Sequence, residues 1–212
     1  AATARGGASS VNVHEWMKVI YGLALSIGLG FVMGWVLCKL VSILFVAANR
    51  RRANVFFKYA QIASAAAMSF MHGAQDGQKF IGVLFLGVAF ANGQTSVGDA
   101  GIPIWIMLLC SATMGIGTSV GGERIIMVKL EKYQGFSADL AGAANLLLAT
   151  LTGIPVSSTH IKTCAIMGVG AVKRLSAINF GVVKDMMFTW FFTFPACGLI
   201  SFVMAKLFMM FL

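Results

Sequence analysis

The sequence predicts an all-α, polytopic membrane protein with discontinuous helices. Three observations lead there. Of the 212 residues, 58% are hydrophobic and only 11% charged, against about 25% charged in an ordinary soluble domain. Mean hydropathy is +0.86, and the apolar residues gather into runs of the ~20 residues a helix needs to cross a bilayer. Between such runs lie two short polar segments, His72-Gly73-Ala74-Gln75-Asp76-Gly77-Gln78-Lys79 and Pro155-Val156-Ser157-Ser158-Thr159-His160. Charges and clustered hydroxyls are costly at membrane depth. Two of them in one chain suggest broken or re-entrant helices facing a polar site.

The chain reads as one transmembrane domain over residues 1–212. Residues 1–16 form a loop or the edge of a longer chain, and 17–212 form the membrane-spanning part. A first span covers about Met17 to Ala48, with Lys39 placed to snorkel and Gly30-Phe31-Val32-Met33-Gly34 suited to close helix contact. Arg50-Arg51-Arg52 marks a cytoplasmic loop by the positive-inside rule. A small-residue helix from Phe56 to about Met71 meets the first polar segment and resumes from Phe80 to Phe90. Neither half is long enough to cross alone, so a broken or re-entrant element is expected. After a turn-rich loop, Asn92 to Gly101, a third run covers Ile102 to about Val120. Gly121 to Tyr133 mixes charges with aliphatics and suits an interfacial helix. Phe136 to Thr152 is the next helix, with Ser137 as expected N-cap. The second polar segment follows, then a glycine-rich run from Ile161 to Val172. The last span, about Val182 to Leu212, is expected to kink or restart near Pro195.

Charge and cysteine usage exclude several classes. The net charge of +9 sits mostly at the ends of apolar runs, which fits topology and anionic lipid. No interleaved basic and aromatic stretch supports a nucleic-acid partner. Cys38, Cys110, Cys164 and Cys197 lie singly in apolar segments, without the spacing of a disulfide framework or a metal cluster. The glycines from Gly115 to Gly122 are not followed by the Lys-Ser/Thr of a nucleotide-binding loop.

The two polar segments carry the chemistry. Asp76 between Gly73 and Gly77 offers a carboxylate and, if the backbone unwinds, free carbonyls: hard oxygens suited to Na⁺ or to proton transfer. Gln75 and Gln78 offer hydrogen bonds to a substrate. Lys79 balances Asp76 or attracts an anion, and His72 shares a face with Asp76 if the helix continues. The plain alternative is a polar loop at the membrane surface. In the second segment, Pro155 ends one helix and Ser157, Ser158 and Thr159 open the next. Its N–H groups and hydroxyls then form an anion site, with His160 as a further donor, or else a capping cluster without ligand.

The ordered set of 72–79, Gly-Thr-Ser-Val-Gly-Gly-Glu-Arg-Ile-Ile at 117–126 and Gly-Ile-Pro-Val-Ser-Ser-Thr-His at 153–160 resembles the PiT family of inorganic phosphate transporters. The similarity runs from about residue 17 over nearly the whole chain and matches that family's C-terminal half, its second inverted repeat. Gly73, Ala74 and Asp76 match the family's Gly-Ala-Asn-Asp pattern, with Gln75 where Asn is usual. Pro155, Ser157, Ser158, Thr159 and His160 match the second motif without departure.

That resemblance implies symport of inorganic phosphate with Na⁺ or H⁺ by alternating access, with no enzyme activity and no cofactor beyond the coupling ion. The implied phosphate ligands are Gln75, Gln78, Ser157, Ser158 and Thr159. The implied cation ligands are Asp76, Ser158 and Thr159, with His72, Lys79 and His160 accessory. The chain holds one copy of each motif where the family has two. A missing N-terminal repeat or a second subunit is therefore expected, along with a homo-oligomer in the lipid bilayer of a bacterial inner membrane. Two rivals remain: another oxyanion such as sulfate, and an intramembrane serine hydrolase pairing Ser157 or Ser158 with His160 or His72.

Overall fold

A computed structural model describes residues 13–91, 102–121, 130–173 and 180–211. Among them lie six helices and no strand: α1 Val13–Leu44, α2 Arg50–Ala91, α3 Ile104–Gly121, α4 Lys132–Thr152, α5 Ser158–Lys173 and α6 Phe180–Phe211. The all-α class is as the sequence predicts. By length and composition, Trp16–Leu44 and Met187–Leu207 suffice to cross a membrane, and Ile104–Ser119 is a shorter apolar helix. Residues 1–12, the loop 92–101 and the expected interfacial residues 122–129, with Glu123 and Arg124, lie outside the described residues.

The centre of the fold is the packing of α1, α4 and α5. Along α1, Gly22, Ser26, Gly30, Gly34 and Cys38 recur every four residues and are all buried, a small-residue stripe that lets a second backbone approach. That second backbone is α5. A methyl added at Gly30 would fall 2.8 Å from Ile161 O, and one at Gly34 or at Gly168 of α5 would overlap the facing backbone. The expected Gly30–Gly34 contact is therefore real, and Gly22 and Gly168 extend it. Where lipid supplies no net hydrophobic drive between helices, such close dispersion contact is a main source of association.

α4 lies beside this pair and joins it to α2. Met68 and Met71 of α2 pack with Ala143, Leu146 and Ala149 of α4 and with Val156 and Ile161 beyond. Toward the other end, Cys38 of α1, Ala138 of α4 and Val169 of α5 form a second cluster under Tyr133, Ile166 and Val172. Asn145 Nδ2 ties α4 to α1 through Leu29 O at 3.4 Å, besides Ala141 O in its own helix. Lys173 pairs with Glu131 across the open end of the α4–α5 hairpin. Among the described residues, α3 rests on α2 and α6 packs on none of the other five helices. Its apolar side chains, such as Phe191 at 75% exposed, require surroundings that are themselves apolar.

Two expectations need correction. The first polar segment does not break a helix: α2 runs through it without interruption for 42 residues, about 63 Å of helix at a rise of 1.5 Å per residue. Gly73 and Gly77 keep helical backbone, and no non-glycine or other glycine besides Gly153 has positive φ among the described residues. Freed carbonyls from residues 73–77 are thus not part of the site. Ser137 is not the N-cap of α4. It sits inside the helix, donating to Tyr133 O at 2.8 Å, while Glu131 occupies the cap and its N–H is held by Gln134 Oε1 at 3.1 Å. Of the kink or restart expected near Pro195, the restart does not occur, since α6 runs through the proline.

The second polar segment is the turn that separates α4 from α5. Gly153 takes the left-handed conformation (φ 66°), open to glycine without a Cβ penalty, and Ile154 N–H closes on Ala149 O at 3.2 Å, the Schellman arrangement. Pro155 cannot continue the helix. Ser157 then caps α5, its Oγ accepting His160 N–H at 3.5 Å.

Candidate functional site

The two polar segments meet. Helical phase puts His72, Asp76 and Lys79 on one face of α2, at steps of four and three residues. That face is turned to the start of α5. Ser158 Oγ donates to Asp76 Oδ2 at 2.7 Å across 82 residues of chain. Lys79 Nζ donates to Asp76 Oδ1 at 2.9 Å and reaches Val156 O at 3.4 Å. His72 Nδ1 lies 3.4 Å from Asp76 Oδ2, an ion pair when the ring is protonated. A carboxylate 21% exposed therefore has both oxygens engaged. This satisfies the requirement that a charge withdrawn from water keep its partners.

Beside these groups opens a cleft of about 360 Å³. α1 contributes Val19 and Leu23, α2 contributes Asp76 and Lys79, and the interruption contributes Pro155, Val156, Ser157, Ser158 and Thr159. α1 also shapes the interruption from behind. Ser26, buried in the small-residue stripe, accepts the Ser157 N–H at 3.3 Å and donates to Gly22 O at 2.6 Å. A side chain at Gly22 would collide with Pro155 O. The cleft thus has an acid–base pair on one wall. On the other are hydroxyls and a helix N-terminus, whose first N–H groups lack intrahelical acceptors. Such a pairing can hold an anion and a cation close together.

Of the residues singled out from sequence, the fold brings Asp76, Lys79, Ser157, Ser158 and Thr159 to one cleft, with His72 adjoining. It does not bring Gln75, Gln78 or His160 to its lining. Gln75 points to α4 instead, donating to Thr150 Oγ1 at 2.7 Å, and Gln78 is exposed. Sequence reading missed Ser26, Thr150 and Asp139. Ser26 carried a faint signal as the one hydroxyl in a stripe of small residues that recurs every four positions. Thr150 carried none, since Thr within a helix ordinarily bonds its own backbone, as Thr150 also does to Leu146 O. Asp139 is a half-buried acid inside α4, and its position within an apolar run was signal enough. The hydrolase arrangement is absent at Ser158: its hydroxyl and His72 Nδ1 both meet Asp76 Oδ2, whereas a nucleophilic serine needs the histidine between itself and the acid.

A family model described as the phosphate transporter family matches residues 1–201. The chain is 39% identical over 201 residues to a probable low-affinity inorganic phosphate transporter of Bacillus subtilis, covering 92% of this chain and 60% of that protein. It is 37% identical over 207 residues to a protein of the same description from Rhizobium meliloti, covering 95% and 61%. A solved structure described as the sodium-dependent phosphate transporter superposes with a TM-score of 0.80 over 92% of this chain and 66% of that one, at 20% identity. The chain thus spans about three fifths of the curated relatives' length, and the likeness at 20% identity establishes the fold. This chain belongs to the phosphate transporter family, a family of integral membrane transporters rather than enzymes.

Proposed function

We propose, from that membership as premise, that the protein containing this chain carries inorganic phosphate across a membrane together with Na⁺ or H⁺. The observation that carries the reading is the Ser158–Asp76 hydrogen bond of 2.7 Å, which joins the hydroxyl-bearing start of α5 to the carboxylate on α2. Ser157, Ser158 and Thr159, with the first N–H groups of α5, bind phosphate oxygens. Asp76 holds positive charge beside them, which offsets the anion's charge and lowers the cost of moving both through a low-dielectric site. Gln75 acts as a tie between α2 and α4 rather than as a ligand.

Transport proceeds by alternating access. The chain supplies one of two related halves, and the other half is a further segment of the same protein or a second subunit. The membrane is the bacterial inner membrane. Phosphate specificity over sulfate rests on an acceptor for the proton that phosphate still carries: the hydroxyl oxygens of Ser157 to Thr159 can accept it, whereas amide N–H groups only donate.

Radiolabelled phosphate uptake by the full-length protein in proteoliposomes tests the reading. Asp76→Asn is expected to lower the uptake rate at least ~10-fold, the cost of leaving buried partners without their charge. Undiminished cation-driven uptake by that variant would sink the role of Asp76. Excess unlabelled sulfate should leave wild-type uptake unchanged, and full competition would reassign the substrate.

A further inference from the structure

Lys79 sits where an external cation would be expected. Its ammonium nitrogen lies between a carboxylate oxygen, Asp76 Oδ1 at 2.9 Å, and a backbone carbonyl, Val156 O at 3.4 Å. A carboxylate and a carbonyl converging from two helical elements make the oxygen environment that suits a hard monovalent cation. Here an ammonium of the same charge fills the point of convergence. Both oxygens of Asp76 already have partners, since its Oδ2 receives Ser158.

Resting on the transport reading above, we infer that Lys79 is a tethered counter-cation that takes the place of Na⁺ at Asp76. The helix enforces this, because residues three apart share a face and the ammonium cannot diffuse away. A free Na⁺ arriving at Asp76 would have to displace a charge already bound in place, and both cations cannot crowd one carboxylate without mutual repulsion. Lys79 also lines the cleft and remains 53% exposed, so its positive charge faces the same space as Ser157 to Thr159. The anion therefore meets a tethered cation, and phosphate binding at this half of the protein does not require sodium.

The experiment compares initial rates of labelled phosphate uptake in sodium and in potassium, at equal ionic strength and pH, for the full-length protein in proteoliposomes. Wild type and Lys79→Arg are expected to transport equally well in the two salts. Lys79→Met vacates the position. It should lose roughly 10-fold in potassium, the worth of one charge-assisted hydrogen bond, and regain much of the rate in sodium.

A wild-type rate more than about 5-fold higher in sodium, the lower bound of a typical coupling between sites, would overturn the inference while leaving phosphate transport intact. So would a Lys79→Met protein that matches wild type in both salts, or one that is folded yet inert in both while Lys79→Arg transports. Should Lys79→Met not fold, the salt ratios of wild type and Lys79→Arg decide. A wild-type protein that moves no phosphate in either salt would sink the transport reading itself, and the inference with it.

Discussion

The segments 72–79 and 153–160 look alike as strings, each a glycine-bearing polar stretch between apolar runs, yet they reach the same cleft by opposite means. In α2 the backbone continues and side-chain phase does the work: His72, Asp76 and Lys79 line one helical face. Between α4 and α5 the backbone stops, through the left-handed Gly153 and then Pro155, and the site is made from a fresh helix terminus. Polarity inside a membrane bundle can thus be delivered by a side chain on an intact helix or by the ends of an interrupted one. The first costs no backbone hydrogen bonds. The second leaves N–H groups open to an anion.

Substitutions at glycine separate the two cases. The largest effect is expected where the interruption is pressed against α1. Gly22→Leu places a side chain into Pro155 O, and overpacking of this kind costs about 1–3 kcal/mol or more. The protein should lose thermal stability in detergent and most of its phosphate uptake together. Gly153→Ala comes next, because alanine at φ 66° costs about 1–2 kcal/mol. A lowered melting temperature with uptake partly retained is the expected pattern.

The smallest effect is at Gly77→Ala. A methyl there meets nothing within 4 Å, and alanine is favoured over glycine inside a helix by roughly 0.5–1 kcal/mol, so the melting temperature should hold or rise. A fall comparable to that of Gly153→Ala would mean that α2 unwinds at Gly77 after all, and the contrast between the segments would collapse.

Gln75 offers a finer comparison within α2. Its amide leaves the cleft to bind Thr150 Oγ1, one residue from the carboxylate that enters it. Gln75→Leu removes that tie, at about 1 kcal/mol for a neutral hydrogen bond. Its effect on uptake should be mirrored by Thr150→Val and should not add to it. Additive losses would show that Gln75 also touches the substrate.

Composition alone gave the helical membrane class, since a chain with so few charges cannot solvate a globular surface. The extent of the apolar runs placed most helices within a few residues, and the breaks between them located Asp76 and Ser157 to Thr159 as polar groups too costly to be incidental. The helix break at 73–77 was misread for a physical reason: glycine permits unwinding without requiring it, and only the surrounding hydrogen bonds decide. Ser137 was misread as a cap because a serine before an apolar run satisfies that pattern locally, although Glu131 and Gln134 satisfy it one turn and a half earlier.

What the sequence determined by itself is the inventory: an apolar chain, a small-residue stripe on α1, one acid beside one lysine, and a proline-led hydroxyl cluster. What only the tertiary structure decided is who meets whom. Ser158 against Asp76, Lys79 against Val156 O and Ser26 behind Ser157 are contacts between residues 77 to 131 positions apart. No local propensity encodes them. They follow from the close seating of α5 on α1 and of α4 on α2, where a single added methyl would change the approach and move every partner in the cleft.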